Sequence, residues 1–413
     1  MLKDNRKLGN SILSFLSDPV NIPYLFLQMT IDLPYHQPCI ENEEINEVVD
    51  TLKSGWLTTG PRTFQFEEDF RQYVGCHQAI GLNSCTAGLH LILAASGFSP
   101  GDEVITTTMT FPATASAIIH AGLCPVFVDV ELGTMNMNVD QIEDKITSLT
   151  RAIIPVHFAG HPCDMDSIME LAKKHKLLVV EDAAHALETK YKKQKIGSLG
   201  NPTAFSFYAN KNITTGEGGM LTLNNEPLAE KIRMLRLHGI SRDAWKRFGK
   251  TGFSHWELYA PGFKYNMTDI NAAIGIHQLK KVDRFFQLRK KYASLYDLAF
   301  DQVPELETLE IREYAESSYH LYIISLKLEQ LKVTRDEFIE AIQSAGIGVA
   351  VHYKALHLQP FYQKEYGAIQ NNFPVATSYS EKVISLPLYP LMSIGDVERV
   401  IGVVIDLIKR YRR

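Results

Sequence analysis

Cysteine is scarce in this sequence, and it is not arranged for disulfide bonds or metal binding. The five cysteines are spread over 413 residues without a CxxC pair. An odd, scattered set does not build the disulfide framework of a small secreted domain, and it lacks the spacing of a structural zinc site or an iron–sulfur cluster. We therefore expect a reducing compartment, the cytoplasm, and no metal site.

Long apolar runs and basic blocks are also missing. No run approaches the ~20 apolar residues that a membrane-spanning helix requires, which argues against a membrane protein. The formal net charge is −5, and lysine and arginine form no block or stripe, so nucleic acid is not an expected partner. The composition of 45% hydrophobic and 22% charged residues is typical of a soluble globular protein with ample material for a core.

Residues 1–32 do not fit the rest of the chain. The apolar patches within residues 1–28 are broken by Asp18 and Pro19. A secretory signal peptide has one unbroken apolar region and a small-residue cleavage site, so secretion is not expected. We interpret residues 1–32 as a variable leader, with Met29 as a possible true start.

Two patterns suggest ligand sites that we reject. One is a group of metal-ligating residue types that mixes hard and soft donors, an unfavourable combination for a single metal. Its members are His157, His161, Cys163, Asp164 and Asp166. Residues 248–251 resemble the end of a phosphate-binding loop, but Ala244 stands where that loop needs its first glycine. No GxGxxG motif follows a strand, so a nicotinamide enzyme is not expected.

Strand-like and helix-like segments alternate through the first two thirds of the chain. The strand-like runs are continuously apolar, as strands of a parallel sheet covered on both faces are. They include residues 103–107, 125–129, 152–156 and 177–180, and a helical pattern lies at 165–174. This alternation predicts an α/β fold, in which ligands bind beyond the carboxyl ends of the strands.

An acid and an amine follow two of those strands. Asp182 comes after the run at 177–180, and Lys211 lies between an apolar run at 205–208 and a glycine-rich turn at 216–219. Pyridoxal phosphate (PLP) chemistry requires this pair, because the lysine bonds to the cofactor's aldehyde and the carboxylate keeps the pyridine nitrogen protonated. Partial burial would lower the pKa of the lysine amine, as this role needs. A surface lysine and a helix-capping acid are the alternatives.

The start of one helical pattern offers an anion site. Ser84, Cys85 and Thr86 precede the apolar residues of a helix at 89–95. Small and hydroxyl residues there expose backbone N–H groups at the positive end of the helix dipole, where a phosphate binds well. Ordinary helix capping by Ser84 is the alternative.

Six segments resemble, in order, the DegT-type sugar-nucleotide aminotransferases, and the UDP-4-amino-4-deoxy-L-arabinose aminotransferase branch in particular. They are residues 54–61, 83–87, 110–114, 181–186, 205–219 and 262–267. The resemblance runs from about Leu33 to the C-terminus. It implies the aspartate-aminotransferase type of fold (fold type I), with a large α/β/α domain and mostly parallel sheet at 33–285 and a small α+β domain at 286–413. It also implies a homodimer with shared active sites.

The resemblance further assigns residues to the site around Lys211 and Asp182. The residues expected at the cofactor phosphate are Ser84, Cys85, Thr86, Ser206 and, from the partner subunit, Lys264 or Asn266. Phe111 and His185 are expected against the pyridine ring or its hydroxyl, with a core phenylalanine and a satisfied core histidine as the alternatives. The residues expected in the sugar-nucleotide cleft are Trp56, Thr58, Thr59, Gly60, His352 and Tyr353.

The resemblance implies transamination. L-Glutamate would donate an amino group to a keto sugar linked to UDP or dTDP, with the 4-keto position favoured, in the synthesis of lipopolysaccharide or another polysaccharide. A 3-keto-sugar aminotransferase is one alternative. A PLP-dependent sugar dehydratase is another, but those relatives tend to replace the lysine with histidine, whereas this chain has Lys211. A non-enzymatic regulatory protein on the same fold is the third, and Lys211 and Asp182 argue against it.

Overall fold

The computed structural model describes residues 31–240, 257–367 and 372–413. Most of the expected leader and the rejected loop motif at 248–251 therefore lie outside the described residues. Within the described residues, no helix combines the length and the apolar character needed to cross a membrane.

Proline and hydroxyl residues mark where many of the helices begin. Proline is the first residue of α2, α4, α9 and α10, where its missing N–H costs no hydrogen bond. The helices are α1 Asn42–Ser54, α2 Pro61–Val74, α3 Cys85–Ala95, α4 Pro112–His120, α5 Met165–His175, α6 Glu226–Leu235, α7 Asp269–Phe300, α8 Arg335–Ser344, α9 Pro360–Tyr366, α10 Pro374–Lys382 and α11 Ile394–Tyr411. The strands are β1 Gln78–Leu82, β2 Glu103–Thr107, β3 Cys124–Val128, β4 Thr150–Ile154, β5 Leu178–Val179, β6 Glu181–Asp182, β7 Lys190–Tyr191, β8 Gln194–Lys195, β9 Thr203–Ser206, β10 Gly219–Leu223, β11 Leu306–Thr308, β12 Ala315–Glu316, β13 Tyr322–Leu326 and β14 Val383–Leu386.

The main sheet is mostly parallel, as predicted. Its strands run in the order β3-β2-β4-β5 and continue as β6-β9-β10-β1, since β5 and β6 are separated only by Val180. A bridge between Val156 and Asp182 joins the two parts. The β10 strand runs antiparallel to β9 and to β1, and the other neighbouring strands are parallel. The carboxyl ends of β1, β2, β6 and β9 therefore meet at one edge of the sheet.

Helices cover both faces of this sheet. Adjacent strand residues point to opposite faces, so Val104 and Ile105 belong to different apolar clusters. The cluster around Ile105 includes residues of α2, α5 and α7, and the cluster around Val104 includes residues of α3, α4 and α6. Burial on both faces explains why these strands are apolar along their whole length.

One long helix leads into the C-terminal part of the chain. Helix α7 is continuous over its 32 residues. Phe285 of α7 packs in the cluster of the main sheet, whereas Tyr292 packs with the antiparallel sheet β11-β13-β14 and with α8 and α11. Leu33 pairs with Ile347 in this C-terminal part. Helices α8 and α11 begin directly after the capping residues Thr334 and Ser393.

Candidate active site

Asp182 is buried at the end of β6, and uncharged groups donate to its carboxylate. Thr114 Oγ1 donates to Oδ2 at 2.7 Å, and the backbone N–H of Ala184 donates to Oδ1 at 3.1 Å. The thiol of Cys85 lies 3.9 Å from Oδ1. Burial raises the pKa of Asp182, and Thr114 and the Ala184 N–H oppose that rise. Within the described residues, no charged group donates a hydrogen bond to this carboxylate, and a protonated pyridine nitrogen would be such a donor.

The helix-capping alternative for Asp182 is wrong. Residues 183–189 form turns, and the next regular element is the strand β7. The Ala184 N–H therefore donates to Asp182 within a turn and not at a helix start.

Lys211 follows the neighbouring strand β9, which pairs in parallel with β6. Its backbone N–H donates to the carbonyl of Tyr208 at 2.9 Å, which closes a turn directly after the strand. Burial lowers the pKa of the Lys211 amine to about 8, and negative charge at Cys85 and Asp182 works in the opposite direction. The amine is therefore neutral in about a tenth of the molecules at pH 7, and only the neutral form is a nucleophile.

The lowered pKa predicts how fast the apoprotein takes up PLP at different pH. Only the neutral amine attacks an aldehyde, so the uptake rate should rise with pH to a midpoint near 8 and fall about tenfold per unit below it. Stopped-flow absorbance with the PLP-free protein measures this rate. A midpoint near 10.5, the ordinary value for lysine, would show that the amine of Lys211 is not perturbed.

The N-terminus of α3 lies against β10. Ser84 caps the helix, because its Oγ accepts from the backbone N–H of Ala87 at 3.1 Å. Helix capping by Ser84, the alternative raised from the sequence, is therefore confirmed. The next N–H groups, of Cys85 and Thr86, have no acceptor within the helix, as at any helix start. Gly219 permits this approach, since a Cβ there would lie 2.4 Å from the Ser84 carbonyl carbon and 2.6 Å from the Cys85 nitrogen. Ser206, the other residue expected at the phosphate, ends β9 at the same edge.

Replacing Gly219 tests this close approach. Gly219→Ala should lower the free energy of unfolding by about 1–3 kcal/mol, because the added methyl group forces α3 away from β10. The same shift should weaken PLP binding. Urea denaturation and a PLP titration measure the two effects. Gly402→Ala is the control, since a Cβ there meets no atom within 4 Å. If Gly219→Ala matched the wild type in both measurements, the approach would not matter.

Aromatic and imidazole rings gather beside these groups. The Phe111 side chain, directly before α4, is 60% exposed, so the alternative of a core phenylalanine is wrong. Its ring centroid lies 6.2 Å from that of Tyr353. The Tyr353 hydroxyl lies 3.2 Å from Nε2 of buried His185, and the ring of His352 packs against Tyr353 at 4.9 Å. Charge at Lys211 contributes to the lowered pKa of His352, about 4, after burial.

The loop before α2 forms a second group, held by Asp269. The buried Asp269 carboxylate accepts from the backbone N–H groups of Gly60, Arg62 and Thr63 and thereby caps α2. The carbonyl of Thr58 accepts from the Asp269 N–H, and the Trp56 indole donates to the carbonyl of Thr59. Within the described residues, no hydrogen bond joins this loop to the group around His185. The cleft roles expected of its residues stay predictions.

Lys264 and Asn266 differ in how freely they can reach a ligand. Asn266 is buried, and its amide donates to the hydroxyl of Thr59 at 2.8 Å. Lys264 is exposed, and its backbone carbonyl accepts from the side chain of Asn83, two residues before the start of α3. The lysine side chain is therefore the freer of the two.

The rejected metal group makes contacts of a structural kind. Nε2 of His157 lies 2.9 Å from the Glu181 carboxylate, and Nδ1 of His157 accepts from the Cys163 N–H. Asp164 caps α5. Within the described part of the chain, no cluster of histidine, cysteine and acidic residues could hold a metal ion.

The sequence interpretation missed several residues of this site. Thr114, Asp269, Asn212 and His320 are all buried. Thr114 and Asp269 bond to the predicted site residues Asp182 and Gly60, and His320 bonds to Asn212, the residue next to Lys211. Most of these contacts bridge 68 or more positions along the chain. Thr114 and Asn212 lie within the motif segments 110–114 and 205–219, but those motifs predicted no partner for either residue.

The comparisons with known proteins identify the family of the chain. The model of the DegT/DnrJ/EryC1/StrS aminotransferase family matches residues 38–405. The chain belongs to this family and is an aminotransferase, so the resemblance seen in its motifs is confirmed at that level.

Two relatives match along almost their whole length. An uncharacterised protein of Methanocaldococcus jannaschii is 52% identical over 380 residues, which are 92% of this chain and 98% of that protein. The spore coat polysaccharide biosynthesis protein SpsC of Bacillus subtilis is 48% identical over 378 residues, which are 91% of this chain and 97% of SpsC.

Solved structures confirm the expected fold type I. One match is a Streptococcus pneumoniae protein described as a sugar aminotransferase, in its pyridoxamine phosphate (PMP) form. It matches with a TM-score of 0.86 and 37% identity, over 92% of this chain and 100% of that one. Its PLP form matches with a TM-score of 0.84 and 36% identity, over 92% and 99% of the two chains. Helicobacter pylori PseC, an aminotransferase involved in the biosynthesis of pseudoaminic acid, matches with a TM-score of 0.86 and 30% identity, over 92% and 100%.

Proposed function

We propose that this protein transfers the amino group of L-glutamate to a keto sugar linked to a nucleoside diphosphate. The cofactor is PLP, which fits the residues present. The observation that carries this proposal is the placement of Asp182 at the end of β6 and of Lys211 in the turn after β9, the parallel strand next to β6. One is a buried carboxylate with uncharged donors, and the other is an amine whose pKa burial lowers to about 8.

Each residue of the pair has a defined task. PLP, when bound, supplies a protonated ring that stabilises negative charge on the amino-bearing carbon of the substrate. The Asp182 carboxylate would accept a hydrogen bond from the protonated ring nitrogen and so keep it protonated, and Thr114 fixes the carboxylate for that contact. Lys211 would take a proton from the substrate carbon and deliver it to the reactive carbon of the cofactor, and an amine with a pKa of about 8 can act in this way in both directions.

The residues around the pair would bind and shield the cofactor. We propose that the start of α3 binds the phosphate through the N–H groups after Ser84, with Ser206 beside it. The exposed ring of Phe111 would pack against one face of the pyridine. His185 is hydrogen-bonded to Tyr353, next to Phe111, and would also lie beside the cofactor ring. We assign the phosphate contact from the partner subunit to Lys264, because Asn266 is committed to Thr59.

A homodimer follows from that assignment. Light scattering after size-exclusion chromatography measures the mass in solution. A mass of two chains with full PLP content is expected, and an active monomer would exclude a contact from the partner's Lys264. The five unpaired cysteines keep the cytoplasm as the expected location.

The acceptor is proposed to be a 4-keto sugar nucleotide, as in the aminoarabinose branch that the motifs resemble. The name of SpsC suggests that the amino sugar enters a polysaccharide. The test converts the protein to its amino form with L-glutamate, removes the glutamate, and adds 4-keto or 3-keto sugars linked to UDP or dTDP. Mass spectrometry should find an amino sugar from the 4-keto compound and return of the original spectrum. Product from the 3-keto compound alone would establish the main alternative instead.

A further inference from the structure

We infer that the Tyr353 hydroxyl is a directed hydrogen-bond donor to an acceptor oxygen of the bound cofactor or substrate, with its direction set by His185. The inference rests on the proposed function, because it takes the group around Lys211 as the active site. It adds a specific chemical role to Tyr353, which the sequence placed in the cleft without one. The donor and acceptor of each hydrogen bond in the group carry the argument.

The hydrogen bonds of His185 show which ring nitrogen carries its proton. The backbone N–H of Ala159 donates to Nδ1 of His185 at 3.2 Å. A backbone N–H can only donate, so Nδ1 carries no proton. In neutral His185 the proton is then on Nε2. Burial lowers the pKa of His185 well below its ordinary value, with a further contribution from charge at Lys211 and His352, and so keeps it neutral.

The Tyr353 hydroxyl accepts a hydrogen bond from His185. Nε2 of His185 lies 3.2 Å from the Tyr353 oxygen. Because Nε2 carries the proton, it donates and the hydroxyl oxygen accepts. Burial raises the pKa of Tyr353, so the hydroxyl keeps its own hydrogen. Within the described residues, that oxygen has His185 as its one hydrogen-bond partner. The hydrogen of Tyr353 is therefore left for a ligand.

A group of buried residues behind His185 holds its ring in place. His320 packs against it with a centroid distance of 4.3 Å. Nδ1 of His320 lies 2.9 Å from Oδ1 of Asn212, whose amide nitrogen donates to Glu188 at 2.7 Å and to the carbonyl of Ser318 at 3.1 Å. The Ser318 carbonyl can only accept, and Glu188 accepts here through Oε2, so the amide nitrogen faces these two groups and the amide oxygen faces His320. Asn212 and Glu188 thus act as positioning residues behind His185.

Direction matters for what the site accepts. A hydroxyl that must donate favours a ligand oxygen with a free lone pair, such as a phosphate, carboxylate or sugar oxygen. It disfavours a ligand group that can only donate, since two donors would face each other without an acceptor. The exposed ring of Phe111, with its centroid 6.2 Å from that of Tyr353, places this donor beside the surface where the cofactor ring is proposed to lie.

The experiment compares ligand binding among variants of the full-length protein. The probes are PLP for the apoprotein, and L-glutamate and UDP-glucose for the PLP-loaded protein. Tyr353→Phe should weaken one of the three about tenfold, because it removes one hydrogen bond. A loss for PLP would identify a cofactor oxygen as the acceptor, and a loss for L-glutamate or UDP-glucose would identify a substrate oxygen. Binding of all three within twofold of wild type would overturn the inference.

Two substitutions at His185 test how the direction is set. His185→Gln can accept from Ala159 with its oxygen and donate to Tyr353 with its nitrogen, so it should stay within about threefold of wild type. His185→Leu can do neither and should repeat the loss seen for Tyr353→Phe. Unchanged binding in His185→Leu, with wild-type thermal stability, would overturn the role of His185. A wild-type protein without a Lys211-dependent PLP absorbance band would instead contradict the proposed function itself.

Discussion

Lys211→Ala is expected to abolish covalent attachment of PLP and to lower transamination at least about 10³-fold, because the variant loses both the nucleophile and the proton carrier. Borohydride treatment followed by peptide mass spectrometry measures attachment. The wild type should gain the mass of reduced PLP on the peptide that contains Lys211, and the variant should gain none.

Lys173→Ala is the matched control for this substitution. Lys173 is exposed on α5, where alanine is well tolerated, so attachment and rate should equal those of the wild type. Attachment of PLP at a different lysine in the wild type would remove Lys211 from the mechanism, whatever the rate of the variant.

Asp182→Asn is expected to have the second largest effect, a loss of about 10²–10³-fold in rate together with weaker PLP binding. Asparagine keeps the size of the side chain and one acceptor oxygen, but it removes the charge that holds the ring nitrogen protonated. The rate of the half-reaction with L-glutamate, followed by absorbance in a stopped-flow instrument, measures the effect.

Thr114→Val separates the charge of Asp182 from its support. It removes the hydroxyl that donates to Asp182 and keeps the carboxylate, so its loss should be smaller, about tenfold. If Asp182→Asn were no slower than Thr114→Val, the carboxylate would have no special part in the chemistry.

The parts of the site that follow from local sequence could be predicted. Apolar runs located the strands that end near Asp182 and Lys211, and burial on both faces of the sheet is what makes those runs continuous. The helices at 335–344 and 394–411 had clear starts, because Thr334 and Ser393 cap them. Ser84 was correctly weighed as a helix cap.

Contacts between distant segments could not be predicted in the same way. Thr114 lies 68 positions from Asp182, and Tyr353 lies 168 positions from His185. Asp269 begins one helix but caps another whose first residues are more than 200 positions earlier. Hydrophobic periodicity carries no information on such pairs, since they depend on how the strands and helices pack. The family resemblance brought Tyr353 and His352 into the site without their partners.

The absorbance spectrum of the purified protein before and after L-glutamate tests the central claim most directly. The account predicts a visible PLP band that depends on Lys211, bleaches with L-glutamate, and returns when a keto-sugar nucleotide is added. A protein that binds no PLP, or one whose band is unchanged by every amino donor tried, would contradict the claim and favour a regulatory role on the same fold.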